Sequence, residues 1–171
     1  MTMSMYQASA PVFLQMLGGL SQVLDKAEAY ATEKKIDQAH ILGMRVHPGM
    51  WALAKQVQAA TDMARNGMSR LAGQEPLAMP ETEKTFAELR QRIRATIEYV
   101  QGFKPAQIDG TEAKVVAMKM GGKDVSFKGQ DYLIGMVLPN FYFFCTTAYD
   151  ILRMNGVDLV KRDYLGKIPG Q

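Results

Sequence analysis

The chain has 171 residues, 47% of them hydrophobic and 22% charged, which is enough for one globular domain, residues 1–171, with a core that needs no staples. Its 20 Lys and Arg against 17 Asp and Glu leave a formal charge of +3, too small and too scattered for a nucleic-acid surface. One cysteine excludes an internal disulfide, and the lack of a glycine-rich nucleotide fingerprint excludes P-loop and Rossmann chemistry.

In chain order, the apolar run beginning at Pro11 lacks the basic start of a secretory signal, since the first Lys or Arg is Lys26; the cytoplasm is the expected compartment. A helix is predicted over residues 11–32, with Pro11 in its first turn and Phe13, Leu17, Leu20, Leu24 and Ala27 as its core stripe. Gly18-Gly19 beside that stripe lowers helix propensity, so a close approach by another element is expected there. A connector, residues 34–46, holds a helical turn begun by Asp37 and the exposed His40. A second long helix is predicted to open at His47-Pro48, with His47 as cap, and to run to Leu71 through Met50, Ala54, Val57, Thr61, Ala64 and Met68.

Residues 73–80 read as a loop, and Thr85-x-x-Glu88 is a capping box opening a third helix with Phe86, Leu89, Ile93, Ile97 and Val100 inward. Arg90, Arg92 and Arg94 are the densest basic run, and their spacing predicts a solvated face. The period then changes to two: Val116, Met118 and Met120, the Gly121-Gly122 turn, and Val125 and Phe127 predict a β-hairpin. A fourth helix opens near residues 129–131, is kinked by Pro139 and closes at Asn155-Gly156. Phe141, Phe144, Ala148 and Ile151 form one face and Tyr142, Cys145 and Tyr149 a second, predicting burial on most sides, with Cys145 an inert core residue. The tail from Val157 is expected to pack loosely or dock on a neighbour.

Tyr132 to Tyr149 carries no charge and approaches the length of a membrane span. Pro139, Asn140, Thr146 and Thr147 interrupt it, Asp131 and Asp150 flank it, and no basic cluster sets a topology, so a buried bundle helix is expected and no membrane.

These residues resemble the small, uncharacterised bacterial proteins of the DinB/YfiT-like superfamily. The resemblance rests on Tyr6-Gln-Ala-Ser9, Pro11-Val-Phe-Leu14, Arg45-Val-His-Pro48, Gln56-Val-Gln58, Thr85-Phe86 with Glu88-Leu89, Leu138-Pro-Asn-Phe-Tyr-Phe143, Thr146-Thr-Ala-Tyr149, Ile151-Leu-Arg153, Asn155-Gly156 and Asp163-Tyr-Leu-Gly166. It implies an all-α, up-down-down-up four-helix bundle with a short β-hairpin before the last helix, commonly a dimer. Many such proteins hold a divalent metal with three histidines, one at the start of the second helix and two at i, i+4 on the last, and some are thiol-dependent transferases or isomerases. This chain has two histidines, and Phe144 and Ala148 stand where the resemblance places the second and third ligands. The three-histidine site is not assembled, so no cofactor is predicted. A divalent metal then requires substitutes such as Asp62, Glu98 and Asp150.

The candidate ligand-binding residues are His47, Trp51, Asn140, Tyr142, Thr146, Tyr149 and Asp150. Asn140 both donates and accepts and is suited to the backbone groups freed near Pro139; the hydroxyls of Thr146, Thr147 and Tyr149 suit a small ligand; Asp150 suits an ion pair with Arg153. The leading expectation is a metal-free, small-ligand-binding or regulatory homodimer with a partly apolar pocket, which requires a cavity near Asn140, Tyr142 and His47. The alternatives are a metal- or thiol-dependent transferase- or hydrolase-like enzyme using His47 as ligand or base, and a structural dimerisation module.

Overall fold

The computed structural model describes residues 3–168. Four long helices carry the fold: α1 (Ala10–Lys34), α3 (Leu53–Ala72), α4 (Phe86–Gln101) and α7 (Leu138–Met154). Short elements join them: α2 (Gln38–Leu42), α5 (Pro105–Ile108), the hairpin β1 (Val115–Met120) and β2 (Lys123–Lys128), α6 (Gly129–Asp131) leading into a π-helical turn (Tyr132–Val137), and α8 (Lys161–Leu165).

Cross-helix contacts give the direction of each helix. Arg92 meets Thr61 and Asp62, and eight positions further along α3 Ser69 meets Tyr99, so α3 and α4 run parallel. Trp51 stacks on Phe144, Gly67 abuts Val137 and Arg70 reaches Tyr132, so α3 and α7 are antiparallel. Phe13 packs edge-on against Phe141 and Tyr30 lies at Gly156, which makes α1 and α7 parallel. The bundle is therefore up-down-down-up. Residues 73–85 must return along α3 before α4 starts, and they are held there by Lys55 on Glu81 and Gln58 on Glu83.

The core is aliphatic and aromatic: Phe13, Leu17, Leu24, Met68, Leu71, Phe86, Leu89, Ile93, Phe141 and Ile151 are fully buried. Each such side chain contributes roughly 1.5–3 kcal/mol of hydrophobic stabilisation. The Thr85–Glu88 capping box forms in both directions, and Asp37 caps α2 by accepting from the Ala39 N–H at 2.9 Å. Gly121 and Gly122 both adopt positive φ, 58° and 79°, between the paired Met120 and Lys123, the geometry of a two-residue hairpin turn. Among the described residues no helix is long and apolar enough to cross a membrane.

Several expectations are corrected. The second long helix starts at Leu53, because His47 and Pro48 form a turn in which the Met50 N–H bonds the His47 carbonyl at 2.9 Å; Met50 is outside the helix. Arg92 does not share a solvated face with Arg90 and Arg94: its side chain is 1% exposed and bonds Thr61, Asp62, Glu83 and the Pro80 carbonyl. The fourth helix is open along one side, where Pro139, Tyr142, Phe143, Thr146 and Asp150 are exposed. The tail docks on its own chain: Val157 and Leu159 are buried and α8 lies on α1, while the last three residues fall outside those described. This docking explains one of the paired glycines. A Cβ on Gly19 would stand 2.5 Å from the Tyr164 carbonyl oxygen, whereas one on Gly18 would meet nothing within 4 Å.

Candidate functional site

The turn at residues 47–50 places the chain's single tryptophan on a loop rather than in a helix. Pro48 supplies a preset φ at the second turn position, and His47 Nδ1 accepts from the Gly49 N–H at 3.1 Å, reinforcing the turn from its side chain. The Arg45 guanidinium donates to the Met50 carbonyl, and the Leu53 N–H bonds the Met44 carbonyl at 2.9 Å, so the loop is tied at both ends. Gln56, on the first turn of α3, donates from Nε2 to the Trp51 carbonyl at 3.0 Å.

Held this way, the Trp51 ring stacks on Phe144 of α7, with centroids 5.6 Å apart and planes 21° from parallel. Trp51 remains 49% exposed and Phe143 52%, while Phe144 is 8% exposed and packs edge-on against Phe143. Gly49, Met50, Trp51, Gln56, Phe143 and Phe144 line a shallow, open surface cleft of about 240 Å³. A cavity of roughly 150 Å³ holds benzene, so this cleft has room for a one-ring molecule with a substituent. Lys55 Nζ stands 5.4 Å from the Trp51 ring centre and pairs with Glu81, and among the described residues no acidic side chain lines the cleft. A cationic guest therefore meets a positive neighbour and no counter-charge.

The other candidate residues lie elsewhere. Asn140 Nδ2 donates to the Met136 carbonyl at 2.7 Å, at the junction of the π-helical turn and Pro139, which is the backbone duty expected of it. Thr146 donates to the Tyr164 hydroxyl at 3.0 Å and Tyr149 to the Leu159 carbonyl at 3.5 Å; both hold the tail. Partial burial raises the Tyr142 and Tyr164 phenols above their ordinary range, so both are neutral at physiological pH. Asp150 is exposed, and Arg153 pairs with Asp158 instead, at 3.3 Å. Of the seven candidates, only Trp51 lines the cleft, and His47 shapes the loop beside it.

The residues present do not fit the three-histidine metal centre. Phe144 is engaged by Trp51, Ala148 is fully buried, and His47 Nδ1 is already an acceptor within its own turn. Asp62 is shared by Arg65 and Arg92 rather than open to a cation, and among the described residues no three His, Cys, Asp or Glu side chains converge. Burial pushes the Cys145 thiol far above its ordinary range, so it offers no thiolate.

Sequence reasoning missed Gln56 as a site residue. It lies three residues after Leu53 and four before Ala60, within the buried face of α3, and is 1% exposed. A lone amide in an apolar stripe was the readable signal. A larger groove of about 430 Å³, between the end of α3, residues 73–76 and β1, is lined mainly by polar surface and lacks aromatic walls.

A family model for a domain of unknown function, DUF1993, matches residues 5–165. The crystal structure of a DinB family member protein from Shewanella denitrificans superposes with a TM-score of 0.87 at 38% identity, covering 97% of this chain and 94% of that one. No curated protein matches the chain.

Proposed function

The chain belongs to the DUF1993 family of DinB-like proteins, and on that premise we propose that it is a metal-free, small-ligand-binding or regulatory protein whose site is the Trp51 cleft. The observation that carries this reading is an open cleft of about 240 Å³ walled by Trp51, Phe143 and Phe144. Two of these aromatic side chains are about half exposed, an unfavourable arrangement for a folded monomer unless something covers them. Ligand-covered aromatic walls restore that lost burial. The fixed loop supports the reading further, because the cleft is formed in advance and the guest does not have to order it.

We place this activity in a cytoplasmic homodimer. The free, buried Cys145 accords with a reducing compartment, and the exposed Ile134 and Tyr142 on the open side of the fourth helix accord with self-association. Native mass spectrometry of the untagged protein, purified without chelator, reads subunit number, metal and retained ligand together.

The direct test titrates toluene, a one-ring probe matched to the cleft, and follows Trp51 emission. Because Trp51 is the only tryptophan and forms a wall of the cleft, a saturable change in its emission reports binding at its ring. A saturable change is expected in the wild type and is lost in Phe143→Asp, an exposed position whose replacement leaves the core untouched. Absence of a saturable change in the wild type, or an equal change in both proteins, refutes the reading.

A further inference from the structure

The hairpin leaves one edge of β1 unpartnered. Its turn joins Met120 to Lys123, so those two residues form a hydrogen-bonded pair, and every second residue of β1 repeats the arrangement. The Gly129 N–H, bonded to the Lys114 carbonyl at 2.8 Å, keeps the same phase at the other end. Val116, Met118 and Met120 therefore turn their backbone groups toward β2, while Val115, Ala117 and Lys119 turn theirs away. Among the described residues these outward N–H and C=O groups have no backbone partner. Ala117 and Lys119 are exposed, and no proline or bulge interrupts the register, so the edge is a template for another strand.

The groove of about 430 Å³ lies along this edge. Residues 116–119 line it on one side and residues 73–76 on the other, and no β2 residue takes part, as one would if the groove lay over a face of the hairpin. With a rise near 3.3 Å, strands about 4.8 Å apart and a layer about 10 Å thick, one strand residue fills roughly 160 Å³, so the groove has room for about three residues of extended chain. Lys114 fixes its shape by donating from Nζ to the Leu71 carbonyl at 3.2 Å, which ties the start of β1 to the end of α3. The charge here is positive. Arg70 and Lys119 line the groove and Lys114 stands beside Gly73, against Glu75 in the lining and Asp124 across from Lys119. Arg70 and Lys114 donate to the Tyr132 hydroxyl and the Leu71 carbonyl rather than to carboxylates, so their charge is left for a partner.

We propose that the open edge of β1 accepts an extended, acidic peptide segment of another protein, added as a third strand between β1 and residues 73–76. Main-chain bonds at Ala117 and Lys119 supply the pairing, and Arg70, Lys114 and Lys119 set the preference for acidic side chains. The surface is separate from the Trp51 cleft, which lies at the opposite end of α3.

The probe is a capped six-residue peptide alternating valine and glutamate, titrated into the isotopically labelled full chain and followed through its backbone amide resonances. Saturable shifts at the Ala117 and Lys119 amides, larger than at Val116 and Met118, are expected, with roughly tenfold weaker binding by the peptide that carries lysine in place of glutamate. A strand presents only every second N–H to its neighbour, so of two peptides N-methylated on alternate residues one binds and the other does not. Ala117→Pro removes an outward N–H where an edge strand tolerates proline, and should abolish the response with the fold intact. Binding by both methylated peptides or by neither, equal binding of the lysine peptide, shifts confined to other residues, or no response at millimolar peptide overturns the proposal. Shifts of the same two amides with protein concentration alone assign the edge to a second copy of this chain and overturn the peptide reading. The methylated peptides decide the question on the wild-type protein even where Ala117→Pro fails to fold.

Discussion

Gly18 and Gly19 are neighbours on α1, and the structure assigns them opposite responses to the same substitution. Alanine is favoured over glycine in a helix interior by about 0.8–1 kcal/mol. At Gly18 the added methyl meets nothing within 4 Å, so Gly18→Ala is expected to stabilise by about that amount, raising Tm by roughly 2–4 °C for a chain of this size. At Gly19 the methyl would lie 2.5 Å from the Tyr164 carbonyl oxygen, 3.1 Å from the Gly166 N and 3.2 Å from the Asp163 carbonyl oxygen. All three are backbone atoms, so no rotamer relieves the overlap, and α8 must move off α1. Such overpacking costs about 1–3 kcal/mol, and the movement also strains the Lys26–Asp163 ion pair and the Gln15 bond to the Leu165 carbonyl. After subtracting the propensity gain, Gly19→Ala should lose up to about 2 kcal/mol and lower Tm by up to roughly 8 °C. Urea and thermal denaturation followed by circular dichroism measure both variants. A Gly19→Ala protein as stable as Gly18→Ala would refute the docking of α8 on α1 as the reason for glycine there.

Three further outcomes are expected. Arg92→Ala, which removes the buried cation between Asp62, Glu83 and Thr61, should destabilise by about 3–5 kcal/mol in urea titration, and a change below 1 kcal/mol would contradict its role as the tie between α3, α4 and residues 80–83. Burial works to raise the Glu83 carboxyl, but the bonds from Arg92, its own backbone and Gln58 outweigh it, and the net direction is down. A folded value below the unfolded one means Glu83 stabilises fully above the ordinary glutamate range and loses this as pH falls through the lower folded value, so the urea midpoint should drop in acid, and less in Arg92→Ala. Cys145, buried and with its thiol held neutral, should react with a disulfide reagent only on unfolding; stoichiometric labelling of the native protein at neutral pH would contradict its burial.

The bundle was legible where periodicity and capping agree. The stripes of α1, α4 and the last helix, the Thr85–Glu88 box and the Gly121-Gly122 hairpin each follow from local chemistry that tertiary packing does not overrule. Three features were not legible, each for a physical reason. Pro48 suits a first helical turn and the second position of a β-turn equally well, and the choice is made by the bond between the Leu53 N–H and the Met44 carbonyl, which sequence pattern does not encode. Arg92 alternates with Arg90 and Arg94, yet it also lies between Leu89 and Thr96 on the buried side, where acidic partners from α3 and the returning segment let a cation remain in the core. The tail carries Lys161 and Arg162 on its exposed side, while its attachment combines the buried Val157 and Leu159 with backbone proximity at Gly19 and Gly166, two apolar residues being too few to read as a stripe.

The site inherits the first of these ambiguities. With a helix beginning at His47, Trp51 would fall one turn inside it, and its separation from Phe144 would be set by helix packing. Because the chain turns at Pro48 and re-enters α3 at Leu53, Trp51 is carried on a loop fixed by Arg45, His47 and Gln56, close enough to stack on Phe144 while leaving about 240 Å³ open beside it. Gln56 ties the loop to α3 with one amide: its nitrogen positions the tryptophan through the Trp51 carbonyl. Substitution at Gln56 should therefore alter the Trp51 emission of the empty protein, whereas Phe143→Asp should alter guest binding with little change in the Trp51–Phe144 stack. That difference separates the residue that builds the cleft from one that only lines it.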